Sequence, residues 1–277
     1  MGDTMKPDRL YKRWRKSVDG WWDELGREWR QCRRSGEVEA IHRLRVVMRR
    51  LRVGLRLGNP LLGKERVAKF RKWSQKISLA LGPVRDVDVT LEWLAQQRGQ
   101  EKPVEILQTQ RARLWQQARR KMGRLVRVPC DWDDAKHPAA HVRKKLARRF
   151  QRIIHEDCRQ ILEFHSPLDT HDVEHWHELR RDLRRIRYLR EIILTPKEAR
   201  HDVLLKELLH LQELLGNAQN CVAAMTVLQK LPTETQAAPL IKQLEGQRRR
   251  WLAEARKALV AFQKSRELRA FAKDTAA

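Results

Sequence analysis

Apolar residues recur every three or four positions along almost the whole chain and no stretch alternates with a period of two, so the pattern predicts an all-α fold. Leu10, Trp14, Val18, Trp21, Trp22, Leu25 and Trp29 mark a first helix over residues 6–34, interrupted at Ser35 and Gly36. The second, from about 37 to 57, carries Ile41, Leu44, Met48, Leu51 and Leu55 on one face and breaks at Gly58, Asn59 and Pro60. A third is predicted to stop at Gly82 and Pro83, Asp86 to cap a short fourth, and residues 103–126 to form a fifth. Residues 128–138, VPCDWDDAKHP, lose the period, carry two prolines and read as a connection between halves.

The second half repeats the scheme. Helices are expected near 139–164, 171–194, 197–215, 218–230 and 235–265, followed by a frayed tail over 266–277. Val142, Leu146, Phe150, Ile153, Ile154 and Ile161 reproduce the spacing of the first helix. The clearest copy pairs His42–Leu57 with His177–Leu194: one offset superimposes His42 on His177, Arg45 on Arg180, Arg49 on Arg184, Arg50 on Arg185 and Arg52 on Arg187. LALGPVRDVDV (79–89) likewise matches LQELLGNAQNCV (211–222), with a one-residue slip at Gln212 before the shared Leu-Gly, which sets Lys72 on Lys206 and Lys76 on His210. The chain thus divides into repeats over 6–127 and 139–265.

Wound at about 100° per residue, His42, Arg45, Arg49, Arg52 and Arg56 share one arc beside the apolar stripe. His177, Arg180, Arg184 and Arg187 do the same beside Trp176, Leu179, Leu183 and Ile186. A solvated helix face usually mixes signs, because Glu and Lys at i and i+4 support it, yet residues 42–57 contain no acid. Two such rows anchored to a core predict one extended anion site. The net charge of +25, from 60 Lys and Arg against 35 Asp and Glu, points the same way: self-repulsion of that size opposes compaction, and a polyanionic partner offsets it. Nucleic acid, polyphosphate and an anionic membrane surface all fit this charge.

Other chemistry is thinly represented. Cys32, Cys130, Cys158 and Cys221 form no CxxC pair and read as free thiols in a reducing compartment. The start of the chain lacks the apolar run of a signal peptide and no 18-residue apolar stretch occurs, so a cytoplasmic location without membrane insertion is expected. His171 and His175 stand at i and i+4, but His177 lies on another face and no cysteine completes a zinc set. Asp86 and Asp88 read as a helix cap paired with Arg85 rather than as metal ligands. No metal, no cofactor and no catalytic residue is predicted: GxxxxGK[ST] is absent and no acidic cluster faces the rows. The tryptophans mostly fill periodic apolar positions, Trp132 of the connection excepted.

These residues carry a family resemblance. His42, Arg45, Arg49, Arg50 and Arg52, the LGPVRDVDV segment, then His177, Arg180, Arg184, Arg185, Arg187 and Tyr188, and finally LQELLGN occur in an order that resembles the CHAD domain, the conserved histidine alpha-helical domain. The likeness extends from about Leu10 to about Phe262 and reads as one such domain over 1–277. It implies two pseudo-twofold-related helical bundles with a basic groove or channel between them, binding of inorganic polyphosphate, a role without catalysis and, for some members, association with polyphosphate granules. Departures are Gln219 and Asn220 where the first repeat has Arg85 and Asp86, and Glu191 opposite Arg56, which predicts a shorter second row.

Arginine suits such a ligand, since its planar fork gives two parallel hydrogen bonds to one phosphate and stays charged. The leading candidates are Arg45, Arg49, Arg52, Arg180, Arg184 and Arg187, with Arg50 and Arg185 on the flank away from the apolar seam. Lys72 with Lys206, Arg13 with Lys145, and Lys16 with Arg148 recur between halves and form an outer set of donors. His42 and His177 head the rows, either donating to phosphate when protonated or fixing the helix entry as neutral rings. The alternative function is a helical protein that binds the RNA or DNA backbone; only 2 Tyr and 5 Phe are available to stack bases.

Overall fold

The computed structural model describes residues 6–125, 137–165, 173–235 and 237–273. Its first two helices, α1 (Pro7–Ser35) and α2 (Val38–Leu57), are joined through one tryptophan. The Trp14 indole N–H donates to the Gly54 carbonyl at 2.8 Å, and its ring lies where Gly58 lacks a side chain. An added Cβ at Gly58 would fall 2.3 Å from Trp14 Cζ2, although the backbone there, φ −72°, suits any residue. Gly36 closes α1 in the left-handed region at φ 64°, donating its N–H to Cys32 O, and Trp115 covers it so closely that a Cβ would lie 2.2 Å away.

Beyond a short α3 (Asn59–Leu62), α4 runs unbroken over Lys64–Leu94 with Pro83 inside it. The helix break read from Gly82 and Pro83 is therefore corrected, as is the cap assigned to Asp86, which lies within α4. Proline removes a hydrogen bond to the residue four positions back and crowds the residue before it. Here the carbonyl left over belongs to Leu79, a residue that is 70% exposed as a whole, and the crowded residue is Gly82, which has no Cβ to clash. α5 (Glu101–Gly123) then packs against α4.

The second half comprises α6 (Ala140–Leu162), α7 (Val173–Ile193), α8 (Pro196–His201), α9 (Val203–Leu228), α10 (Ala237–Lys264) and α11 (Arg266–Lys273). The divisions expected at 197–215 and 218–230 are again corrected. Thr195 and Glu198 form a capping box that starts α8, and Asp202 caps α9 by accepting from Leu205 N–H. α9 then continues through Gly216, with Leu214, Leu215 and Ala218 buried on both sides of it. Residues 266–273 of the tail expected to fray instead form α11, whose Leu268 and Phe271 enter the core, and the last four residues lie outside the described ones. Most of the connection over 128–138, together with Cys130, Trp132 and His171, lies outside the described residues.

The apolar stripes go where their period sends them. Ile41, Leu44, Met48, Leu51 and Leu55 of α2 and Trp176, Leu179, Leu183 and Ile186 of α7 are buried in one core with Leu10, Trp14 and Val18 of α1 and Leu146, Phe150 and Ile154 of α6. A smaller cluster joins the far ends of α4 and α9 to α5 and α10 through Val87, Leu94, Leu107, Ala224 and Leu244. α2 packs on α1 and α4, α7 on α6 and α9, and the halves meet through α4 with α9, α1 with α6 and α2 with α7. Among the described residues no helix is long and apolar enough to cross a membrane. Cys32 and Cys158 are buried, which pushes both thiols up to about 12.

Candidate functional site

Because α2 and α7 both send their apolar stripes into one core, the adjoining basic rows of the two helices meet. Their charges converge around Arg49. Burial and then Arg49 bring Arg45 down to about 10, and the same two causes, in the same order, bring Arg180 down to about 10. Arg184 falls to about 9 through burial, then Arg180 and Arg49, and Arg52 is lowered by burial and Arg49. Arginine holds its proton under all ordinary conditions, so these shifts express the free-energy cost of keeping like charges together partly out of water. Arg45, Arg49, Arg52, Arg180 and Arg184 are all half-buried, and among the described residues none forms an ion pair.

Local bonds hold the row in place without neutralising it. Arg45 Nη1 donates to the Ser78 carbonyl of α4 at 3.0 Å, and Arg184 Nε to the Arg180 carbonyl at 3.1 Å. Arg49 Nε is buried with no acceptor among the described residues. The buried Tyr188 stands among Arg52, Arg180 and Arg184, and the Arg187 guanidinium lies 4.6 Å from its ring centroid. The His42 pKa is lowered from the ordinary histidine range by burial and then Arg85, and that of His177 by burial and then Arg184 and Arg180.

The remaining candidates are placed differently. Arg185 is clamped by both carboxylate oxygens of Asp157 and by Asp182 at 3.0 Å; burial opposes its charge, but the bonds to Asp157 keep its pKa raised. Arg50 pairs with Glu191 at 3.2 Å and reaches Glu24 at 3.9 Å. Arg187 Nε is 3.2 Å from Glu191 but without hydrogen-bond alignment. Arg13 pairs with Glu198 at 3.2 Å. Lys16, Lys72, Lys145, Arg148 and Lys206 are exposed, and none of them is among the charges acting on the row arginines.

Arg85 is a contributor that the helix-break reading concealed. Its charge acts on His42 and Arg45, and the neighbouring Asp86 acts on Arg45 in the opposite sense, so α4 brings a cation and a carboxylate to the head of the α2 row. Read as one continuous helix, α4 puts Arg85 two turns after Ser78, on the face that Arg45 already touches. Asp88 pairs with Arg111 of α5, whose other nitrogen donates to the Gly36 carbonyl at 2.7 Å, so the expected Asp–Arg85 pairing is replaced by one that ties α5 to the α1–α2 turn. A cavity of about 650 Å³ lies between α6 and α7, where Asp157, Asp182, Glu156 and Glu178 mix with Arg56, Arg181 and Arg185. Among the described residues no group of His, Cys, Asp and Glu could hold a metal ion.

Many donors facing one another, none in an ion pair among the described residues and with Asp86 acting on Arg45 alone among them, can take an extended anion, whose charge both satisfies the guanidiniums and relieves their repulsion. The class so defined is an all-α domain with an arginine-lined seam between its two central helices. The CHAD domain family model matches residues 18–229, and the chain belongs to this family. Its fold is similar to the crystal structure of the CHAD domain from the plant Ricinus communis, at 20% identity over 92% of each chain with a TM-score of 0.67. PptA from Streptomyces chartreusis is also similar, at 19% identity over 94% of this chain and 99% of that one, with a TM-score of 0.55. No curated protein matches the chain in sequence.

Proposed function

We propose that the chain binds inorganic polyphosphate along the arginine seam of α2 and α7 and does no chemistry on it. The observation that carries this reading is the set of five half-buried arginines centred on Arg49, none of which forms an ion pair among the described residues. A polyphosphate chain offers about one charge per phosphate and no bases, which matches rows of donors without base-stacking platforms. The two sequence repeats act as one domain, since a single apolar core runs through both and each supplies one row. Membership of the CHAD family supports the same ligand. A module of this kind serves wherever polyphosphate accumulates, granules included.

Titration with long-chain polyphosphate at several salt concentrations tests this. Each phosphate neutralised contributes about −0.7 to the slope of log affinity against log salt, so five arginines predict about −3 to −4. A slope near zero would contradict the seam as the binding surface.

A further inference from the structure

Glu191 makes the two repeats unequal. It occupies the position that Arg56 holds in the first copy, one turn beyond Arg187 on the basic face of α7. Its half-buried carboxylate lies 3.2 Å from Arg187 Nε of its own helix and 3.2 Å from Arg50 Nε of α2. One anion belonging to the protein is thus held between the two central helices by an arginine from each. Arg52, the first-copy counterpart of Arg187, forms no ion pair among the described residues. Arg187 Nε is also buried without an aligned acceptor, so its contact with Glu191 is an ion pair without a hydrogen bond through Nε.

Resting on the polyphosphate reading of the seam, we propose that Glu191 is a specificity-determining residue, an internal counter-anion that limits how far a polyphosphate chain extends along the seam. A polyanion following the α7 row past Arg184 meets a negative charge on the same face. It also meets two arginines whose charge is already partly neutralised. The wild-type footprint therefore stops short of Arg50 and Arg187, and chains too short to reach them are bound as though Glu191 were absent. Glutamine at this position retains the shape and a hydrogen-bonding oxygen for Arg50 but removes the competing charge.

The test compares wild type with Glu191→Gln against tripolyphosphate and long-chain polyphosphate, recording affinity, salt slope and melting temperature. The variant is expected to bind the long chain about tenfold more tightly, through charge-assisted contacts newly open to phosphate. Its salt slope should steepen by about 0.7 for each phosphate gained, with tripolyphosphate affinity little changed. An equal gain for both ligands would reduce Glu191 to a general electrostatic influence and overturn the proposal. Unchanged or weaker long-chain binding at an unchanged slope would make it a strut between helices, again overturning it. Wild type that binds neither ligand would instead sink the reading of the seam itself, a failure separable from the others because it appears before any variant is made.

Discussion

Replacing Arg49 and Arg184 together by glutamine is expected to raise the melting temperature of the free protein while lowering its affinity for polyphosphate by about a hundredfold or more. The two effects have one cause. In the free protein these side chains stand half-buried beside Arg45, Arg52 and Arg180, with no carboxylate paired to any of the five among the described residues. Burial and mutual repulsion bring Arg184 down to about 9, so removing charge here relieves a cost that folding otherwise carries. If polyphosphate binds along the seam as proposed, the same charges are its closest partners. A hydrogen bond to a charged group contributes about 1.5–3 kcal/mol, and two lost contacts therefore correspond to at least about 3 kcal/mol, or roughly a hundredfold. Thermal unfolding and calorimetric titration of one preparation read both numbers. Neutralising the exposed Arg249 and Arg250 is the control, since both lie on the outer face of α10. Equal losses in the two double variants would mean that net charge, not the seam, draws the polyanion.

Gly58→Ala is expected to destabilise the protein by about 2–3 kcal/mol, as overpacking of a tight site does. The sign is informative. Replacing glycine by alanine at a compatible backbone angle ordinarily stabilises by about 0.4–1 kcal/mol, and φ −72° is compatible. The loss is predicted because the new methyl would lie 2.3 Å from Trp14, whose indole is fully buried and anchored on Gly54. Urea unfolding of Gly58→Ala, Trp14→Phe and the double variant checks it: the smaller ring should recover part of the loss, giving a coupling energy that independent sites do not show. A stabilised Gly58→Ala variant would contradict the account of how α1 and α2 are joined.

The helices and their buried faces were legible in the sequence because each apolar stripe of α1, α2, α6 and α7 has a clear helical period and ends up in one core. What misled were signals that tertiary context overrides. Gly82 and Pro83 carry the usual marks of a helix stop, yet glycine removes the clash that proline imposes on its predecessor and the carbonyl left over belongs to the exposed Leu79, so α4 continues. The division of α8 from α9 turned on Asp202, a cap that lies within a stretch of unbroken apolar period.

The candidate site was legible in part for the same reason. The rows on α2 and α7 follow from the repeat, and the absence of acids between 42 and 57 marked them as more than a solvated face. Which flank residues stay available did not follow, because that depends on acids brought in by other elements. Asp157 of α6 holds Arg185, and Glu191 of α7 holds Arg50 across the helix pair. Arg85 was lost from the row by the same misread break at Pro83.

The most direct test of the central claim is binding of long-chain polyphosphate in about 0.15 M salt, with single-stranded RNA of matched charge as competitor. A seam built from guanidinium rows without base-stacking surfaces predicts tight polyphosphate binding that RNA does not displace. Equal or stronger binding of RNA would contradict it, and would make the seam a nucleic-acid backbone site.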